Sequence, residues 1–143
     1  MGKKVEQISI FMENKAGRMA QITRVLGDAG VNILALSLAD TADFGILRLI
    51  VSDNDKAVEA LKAAGFTVGK NEVLAVEVPD HPGGLAAFLE ILGVNEINIE
   101  YMYAYRKSGH AILIFRFDDI ERARSVLPGA NFKIVSADEL YSV

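Results

Sequence analysis

The 143-residue chain has no cysteine and no tryptophan, only three prolines and only two histidines. Without cysteine it can form no disulfide, thiolate metal site or cysteine nucleophile. His81 and His110 alone cannot furnish a three-histidine metal cage, so no metal or other cofactor is expected. No stretch reaches the ~18–20 uninterrupted apolar residues of a membrane-spanning helix. The opening Met1-Gly2-Lys3-Lys4-Val5-Glu6-Gln7 has no apolar signal core. A cytoplasmic location with no membrane partner is therefore expected. Basic charge is also scarce: 15 Lys and Arg against 19 Asp and Glu give a net charge of −4. That balance argues against a phosphate-backbone binder, and no nucleic-acid partner is expected. What the chain does contain is apolar surface to bury: 51% of its residues are hydrophobic, too many for a disordered segment.

The chain also repeats itself. At a constant offset of 66, Gly17 falls on Gly83, Leu26-Gly27 on Leu92-Gly93, and Asn32-Ile33 on Asn98-Ile99. Ile46-Leu47 falls on Ile112-Leu113, Asp53 on Asp119, Leu61 on Leu127 and Phe66 on Phe132. Over the 65 pairs that begin at residue 10 there are 14 identities and no gap, with the glycines in phase. Such a register marks a duplicated domain, read as 1–71 and 72–143. The halves differ in charge, net +1 for residues 1–71 and −5 for 72–143.

Each half reads as strand, helix, strand, strand, helix, strand. Ile8, Ile10 and Met12, like Leu74, Val76 and Val78, alternate with other residues at the period of a strand. A glycine turn follows. Met19, Ile22 and Leu26, and in the second copy Leu85, Phe88 and Leu92, then recur at i, i+3 and i+7, the buried stripe of a helix. Gly30 suits a left-handed cap at the end of the first helix. Strands are expected near 32–39 and 98–106, then near 45–51 and 111–117. The hairpin turns fall at Asp40-Thr41-Ala42-Asp43 and Lys107-Ser108-Gly109. Asp53 and Asp119 suit the N-caps of second helices near 54–64 and 120–127, and a last short strand starts at Phe66 or Phe132. The expected fold class is α+β: two ferredoxin-like βαββαβ modules in tandem, each an antiparallel sheet ordered 4-1-3-2 with both helices on one face.

Both faces of the third strand are apolar. Leu47, Leu49 and Val51 suit the helix side, while Ile46 and Ile50 face the other way; Ile112 and Ile114 repeat this opposite Leu113, Phe115 and Phe117. A second copy of the chain, in a homodimer, is expected to cover the free faces. Within one module the Gly17 turn and Asn32 stand at opposite ends of the sheet, because a helix of about 12 residues between them is ~18 Å long. If the exposed second strands of two modules pair antiparallel, the Asn14–Arg18 turn meets Asn98-Ile99 and the Asp80–Gly84 turn meets Asn32-Ile33. In one continuous sheet of that kind, the Gly69-Lys70-Asn71-Glu72 connector spans at most ~14 Å, against about 29 Å between the strands it must join. Exchange of the fourth strands is the expected solution: 66–70 pairs with the second module and 132–141 with the first.

The seam has readable chemistry. A glycine turn lets backbone approach a ligand, and the first-turn N–H groups near Arg18-Met19 and Gly84-Leu85 suit a carboxylate. Asn32 and Asn98 offer donor and acceptor, and Asp80 suits an ammonium group. Together these fit a zwitterionic α-amino acid. Gly17 and Gly83 could equally serve the turn alone, and the asparagines could serve their own backbone. The stripe Tyr101, Tyr103, Tyr105 reads as core or interface, Arg48 and Arg116 as interface arginines, and His110 as a surface residue.

Asp80-His81-Pro82-Gly83-Gly84-Leu85, between a strand and a helix, resembles the Asp-x-Pro-Gly-x-Leu turn of ACT domains, and Asn98-Ile99 at the next strand strengthens the likeness. Asn14-Lys15-Ala16-Gly17-Arg18-Met19 is a degenerate version without the aspartate and the proline. The resemblance spans essentially the whole chain. It implies a small regulatory module that binds a free amino acid at domain interfaces, with no catalysis of its own and a metabolic enzyme as the regulated partner. Three rivals are weaker. A ligand-free interaction subunit needs none of the seam chemistry. Acylphosphatase-like catalysis would use Arg18 in the first turn, but the second copy has Gly84 there. An RNA-binding module would use Phe115 and Phe117, but that half is acidic.

Overall fold

The computed structural model describes residues 4–40, 43–107, 110–130 and 132–141. The order of elements is β1 (Glu6–Glu13), α1 (Arg18–Asp28), β2 (Ile33–Asp40), β3 (Phe44–Val51), α2 (Asn54–Ala63) and β4 (Thr67–Glu72). It repeats as β5 (Leu74–Val78), α3 (Gly84–Val94), β6 (Ile99–Lys107), β7 (His110–Phe117), α4 (Ile120–Val126) and β8 (Lys133–Ile134). A short 3₁₀ turn at Pro128–Ala130 precedes β8, and α5 (Ala137–Tyr141) follows it. Parts of both expected hairpin turns, Thr41-Ala42 and Ser108-Gly109, lie outside the described residues.

Two separate four-stranded sheets result, ordered β2-β3-β1-β4 and β6-β7-β5-β8. Each is the expected 4-1-3-2 arrangement. The chain divides into two compact units, Glu6–Asn71 joined by Tyr141, and Glu72–Leu140 joined by Lys4 and Val5. The expected exchange of fourth strands does not occur. β4 lies beside β1 in the first sheet, and β8 pairs with β5 through Val76 opposite Ile134 and Glu77 opposite Lys133. The exchange was required only by one continuous eight-stranded sheet; two separate sheets remove that demand on the short connector.

The helices form where the sequence stops and starts them. Asp53 caps α2 by accepting from the Lys56 N–H at 3.1 Å, and Asp119 caps α4 by accepting from the Arg122 N–H at 3.1 Å. Gly30, at φ 76°, ends α1: its N–H donates to the Gly27 carbonyl and the Val31 N–H to the Leu26 carbonyl, the paired closure of a left-handed cap. The second copy makes the same closure with Glu96, at φ 55° the single non-glycine residue in the left-handed region among the described residues. In the first unit Ile8, Ile10 and Met12 pack with Leu47, Leu49 and Val51 beneath Ile22, Leu26, Ala57 and Leu61. In the second, Leu74, Val76 and Val78 join Leu113, Phe115 and Phe117 beneath Phe88 and Leu92. There the Phe88 ring meets Phe132 edge-on with centroids 5.0 Å apart, a favourable aromatic contact.

Each sheet has one face turned away from its helices. Register places Arg48 and Arg116 on those faces, Arg48 opposite Ser9 and Arg116 opposite Tyr101. Ile50 and Ile114 on these faces are fully buried and Ile112 nearly so. The large apolar side chains left exposed include Phe11 and Phe44 on the free face of the first sheet, and Leu36 and Leu38 on edge strand β2.

Candidate functional site

The two glycine turns adopt the same geometry. Gly17 (φ 91°) and Gly83 (φ 86°) are the left-handed N-cap residues of α1 and α3. Beyond each of them the space where a Cβ would stand is open to 4 Å. Neither helix has an acidic residue in its first turn, so the positive end of each helix dipole is not neutralised locally. The arrangement suits a carboxylate approaching backbone N–H groups.

The flanking residues differ between copies. In the first, the Asn14 N–H donates to the Asp43 carbonyl at 3.0 Å. Lys15 Nζ lies 3.0 Å from the Glu13 carboxylate and Arg18 lies 3.8 Å from it. The hydrogen bond from Lys15, then the charges of Lys15 and Arg18, hold the Glu13 carboxyl below its ordinary range. Ala16 is exposed and Met19 packs against the core. In the second copy Asp80 is engaged by the Arg106 guanidinium from β6, so the carboxylate assigned to a ligand ammonium already has a cation. His81 Nδ1 is 3.0 Å from the Pro82 carbonyl, and the His81 carbonyl accepts from the Gly84 N–H. Pro82 and His81 are exposed, and Leu85, expected in the buried stripe, is 40% exposed. Gly84 is buried, and a Cβ there would stand 2.2 Å from the Pro79 carbonyl oxygen. Its lack of a side chain permits close packing of helix start on strand end.

Asn32 and Asn98 stand at the other end of each sheet. The Asn32 N–H donates to Ser52 Oγ at 2.9 Å and its carbonyl accepts from the Ser52 N–H. Asn98 repeats this with Asp118: its N–H donates to the carboxylate at 3.1 Å and its carbonyl accepts from the Asp118 N–H. Both asparagines are exposed, and Ile33 and Ile99 behind them are half-buried. Because Asn14 sits at the start of β3 and Asn32 at its end, the structure does not bring glycine turn and asparagine together within a module. The sequence reading overlooked three contributors: Arg106, and the Ser52 and Asp118 that anchor the asparagines. The last two obey the 66-residue offset and were legible from it; Arg106 reaches Asp80 only through the tertiary fold.

Two ferredoxin-like modules in one chain, each opening its first helix with an open left-handed glycine, make a duplicated ferredoxin-like fold. A family model for the ACT domain pair matches residues 3–143, and the chain belongs to that family. A Bacteroides thetaiotaomicron protein of known structure is 39% identical over 99% of each chain, with a TM-score of 0.93. The ligand-free regulatory subunit of aspartate kinase from Thermus thermophilus is 17% identical over 87% of this chain and 89% of its own, with a TM-score of 0.67. The corresponding subunit from Thermus flavus is 18% identical over 90% and 94%, with a TM-score of 0.63. At those identities the aspartate kinase subunits share the fold. No curated protein matches the chain.

Proposed function

We propose that this protein is a non-catalytic sensor that binds a free amino acid where the edge strand of one ACT module meets that of another. The carrying observation is the matched pair of open glycine turns, Gly17 and Gly83, each presenting the start of an 11-residue helix. Edge-to-edge pairing of β2 with β6 carries the Asp80–Gly84 turn to Asn32-Ile33 and the Asn14–Arg18 turn to Asn98-Ile99. The glycine turn then takes the carboxylate, while the asparagine takes the ammonium group. Leu36 and Leu38, 51% and 47% exposed on β2, give that edge an apolar reason to pair.

The seam is drawn between two chains of a homodimer. Val73 alone separates β4 from β5, whereas β2 beside β6 in one continuous sheet would hold β4 and β5 about 29 Å apart. Asp80 already holds the Arg106 guanidinium, which leaves the ligand's ammonium group to the asparagine. The regulatory subunits among the structural neighbours support a role in controlling a metabolic enzyme. A thermal-shift screen of the twenty amino acids tests the reading: a binder at 100 times its Kd should add ~2.7 kcal/mol of stability. Gly83→Asp, whose carboxylate competes for the first-turn N–H groups, and Asn98→Ala should each blunt that response. A flat response to all twenty refutes the proposal.

A further inference from the structure

At the end of the first sheet a cavity of about 390 Å³ is lined by Phe11, Phe44 and Phe66 together with Glu13, Arg18 and Gln21. It lies wholly within the first module and shares only Arg18 with the residues assigned to the edge seam. Its volume is that of a small-molecule site. Of the seven phenylalanines, Phe11 and Phe44 are the exposed ones, at 56% and 55%. Register sets them on one sheet face, Phe11 opposite Ile46 and Phe44 opposite Glu13.

The fold does not need aromatic rings at these positions. At the 66-residue offset the second module has Glu77 and His110 there, their side chains 2.7 Å apart. The equivalent hollow of the second module, about 280 Å³, is lined by these two with Val78, Pro79, Phe132 and Lys133. One copy therefore carries two polar side chains where the other exposes two large apolar ones, and exposed apolar surface beside a cavity marks a binding site.

The polar wall sets the ligand's charge. Glu13 is already occupied by Lys15 at 3.0 Å. Arg18 donates to Gln21 Oε1 at 3.2 Å and stands 3.8 Å from Glu13, which leaves most of its five donors for an incoming anion. We propose that this cavity binds a compact aromatic carboxylate, its ring against Phe11 and Phe44 and its carboxylate on Arg18.

Phenylacetate, benzylamine and acetate, titrated into the labelled full chain and followed by two-dimensional amide NMR, test the proposal. Phenylacetate should shift the Arg18, Gln21, Phe44 and Thr67 amides saturably, with acetate and benzylamine at least tenfold weaker. The paired substitution Phe11→Glu with Phe44→His, and separately Arg18→Gly, install what the second module carries and keep the fold, which the dispersion of the same spectra verifies. Each should weaken phenylacetate at least about tenfold, the worth of one hydrogen bond to a charged group. Absence of saturable shifts, an equal response to benzylamine or acetate, or unchanged affinity in the folded variants overturns it. Shifts confined to Gly83, Asn32 and Asn98 overturn it too, while leaving the edge-seam reading intact.

Discussion

Gly84→Ala isolates packing from ligand access at the glycine-rich turn. An added Cβ would stand 2.2 Å from the Pro79 carbonyl oxygen and 3.2 Å from its carbon. Carbon–oxygen contacts settle near ~3.3–3.6 Å, so helix start and strand end must part by about 1 Å. Overpacking of that size costs up to about 3 kcal/mol. Alanine returns about 1 kcal/mol by restricting the unfolded chain and favouring the helix. The net expectation is a loss of about 2 kcal/mol, or roughly 4–8 °C in Tm for a chain of this length. The control is Gly27→Ala, the same chemical change on the exposed face of α1 with nothing within 4 Å of the new methyl. It should raise stability by about 0.5–1 kcal/mol. Reversible thermal or urea unfolding reads both. If the two variants move in the same direction, or Gly84→Ala is neutral, the close approach at Pro79 is not a constraint on the turn.

Other consequences are as specific. Glu96→Gly, which relieves a left-handed glutamate at the end of α3, should stabilise by about 1 kcal/mol, and Gly30→Glu should cost about as much, both read by urea unfolding. Tyr141 Oη accepts from the Glu6 N–H, donates to the Glu6 carbonyl, and takes a third bond from Asn54 Nδ2. Tyr141→Phe should therefore lose about 1–3 kcal/mol and speed hydrogen exchange at the Glu6 amide. The Lys133 hydrogen bond holds the Glu139 carboxyl below its ordinary range, and Glu139 in turn raises the Lys133 ammonium. The depressed carboxyl contributes stability above its unfolded-state pKa, lost as pH falls through the folded one. The raised ammonium contributes below its unfolded-state value, lost as pH rises through the folded one. Melting curves of wild type and Lys133→Gln should thus differ most near neutrality and converge toward both extremes.

The periodic and local features were readable in the sequence. The offset of 66 and the i, i+3, i+7 stripe placed α1 and α3, because both report on a buried face rather than on partners far away. Asp53 and Asp119 act as caps through bonds that span three residues. Features governed by distant partners were not readable. Two separate sheets rather than one continuous sheet, and with them the home pairing of β4 and β8, depend on module placement that no strand pattern encodes. The Arg106–Asp80 pair depends on the twist that brings the end of β6 to the glycine turn. Helix α5 is a different case, since its signal was present. Ser136-Ala137-Asp138-Glu139 is a capping box, and in the structure the Glu139 N–H donates to Ser136 Oγ at 3.2 Å. The first copy has Lys70-Asn71-Glu72-Val73 at that offset, so the repeat does not mark it.

Sedimentation velocity of the wild-type chain, run with and without the amino acid that most raises its melting temperature, probes the core idea most directly. A ligand held by Gly83 on one protomer and Asn32 on its partner must tighten self-association by the factor that self-association tightens ligand binding. The account predicts a shift from monomer toward dimer on adding that amino acid, lost in Asn32→Ala. A chain that saturates with the amino acid and still sediments as a monomer would contradict it.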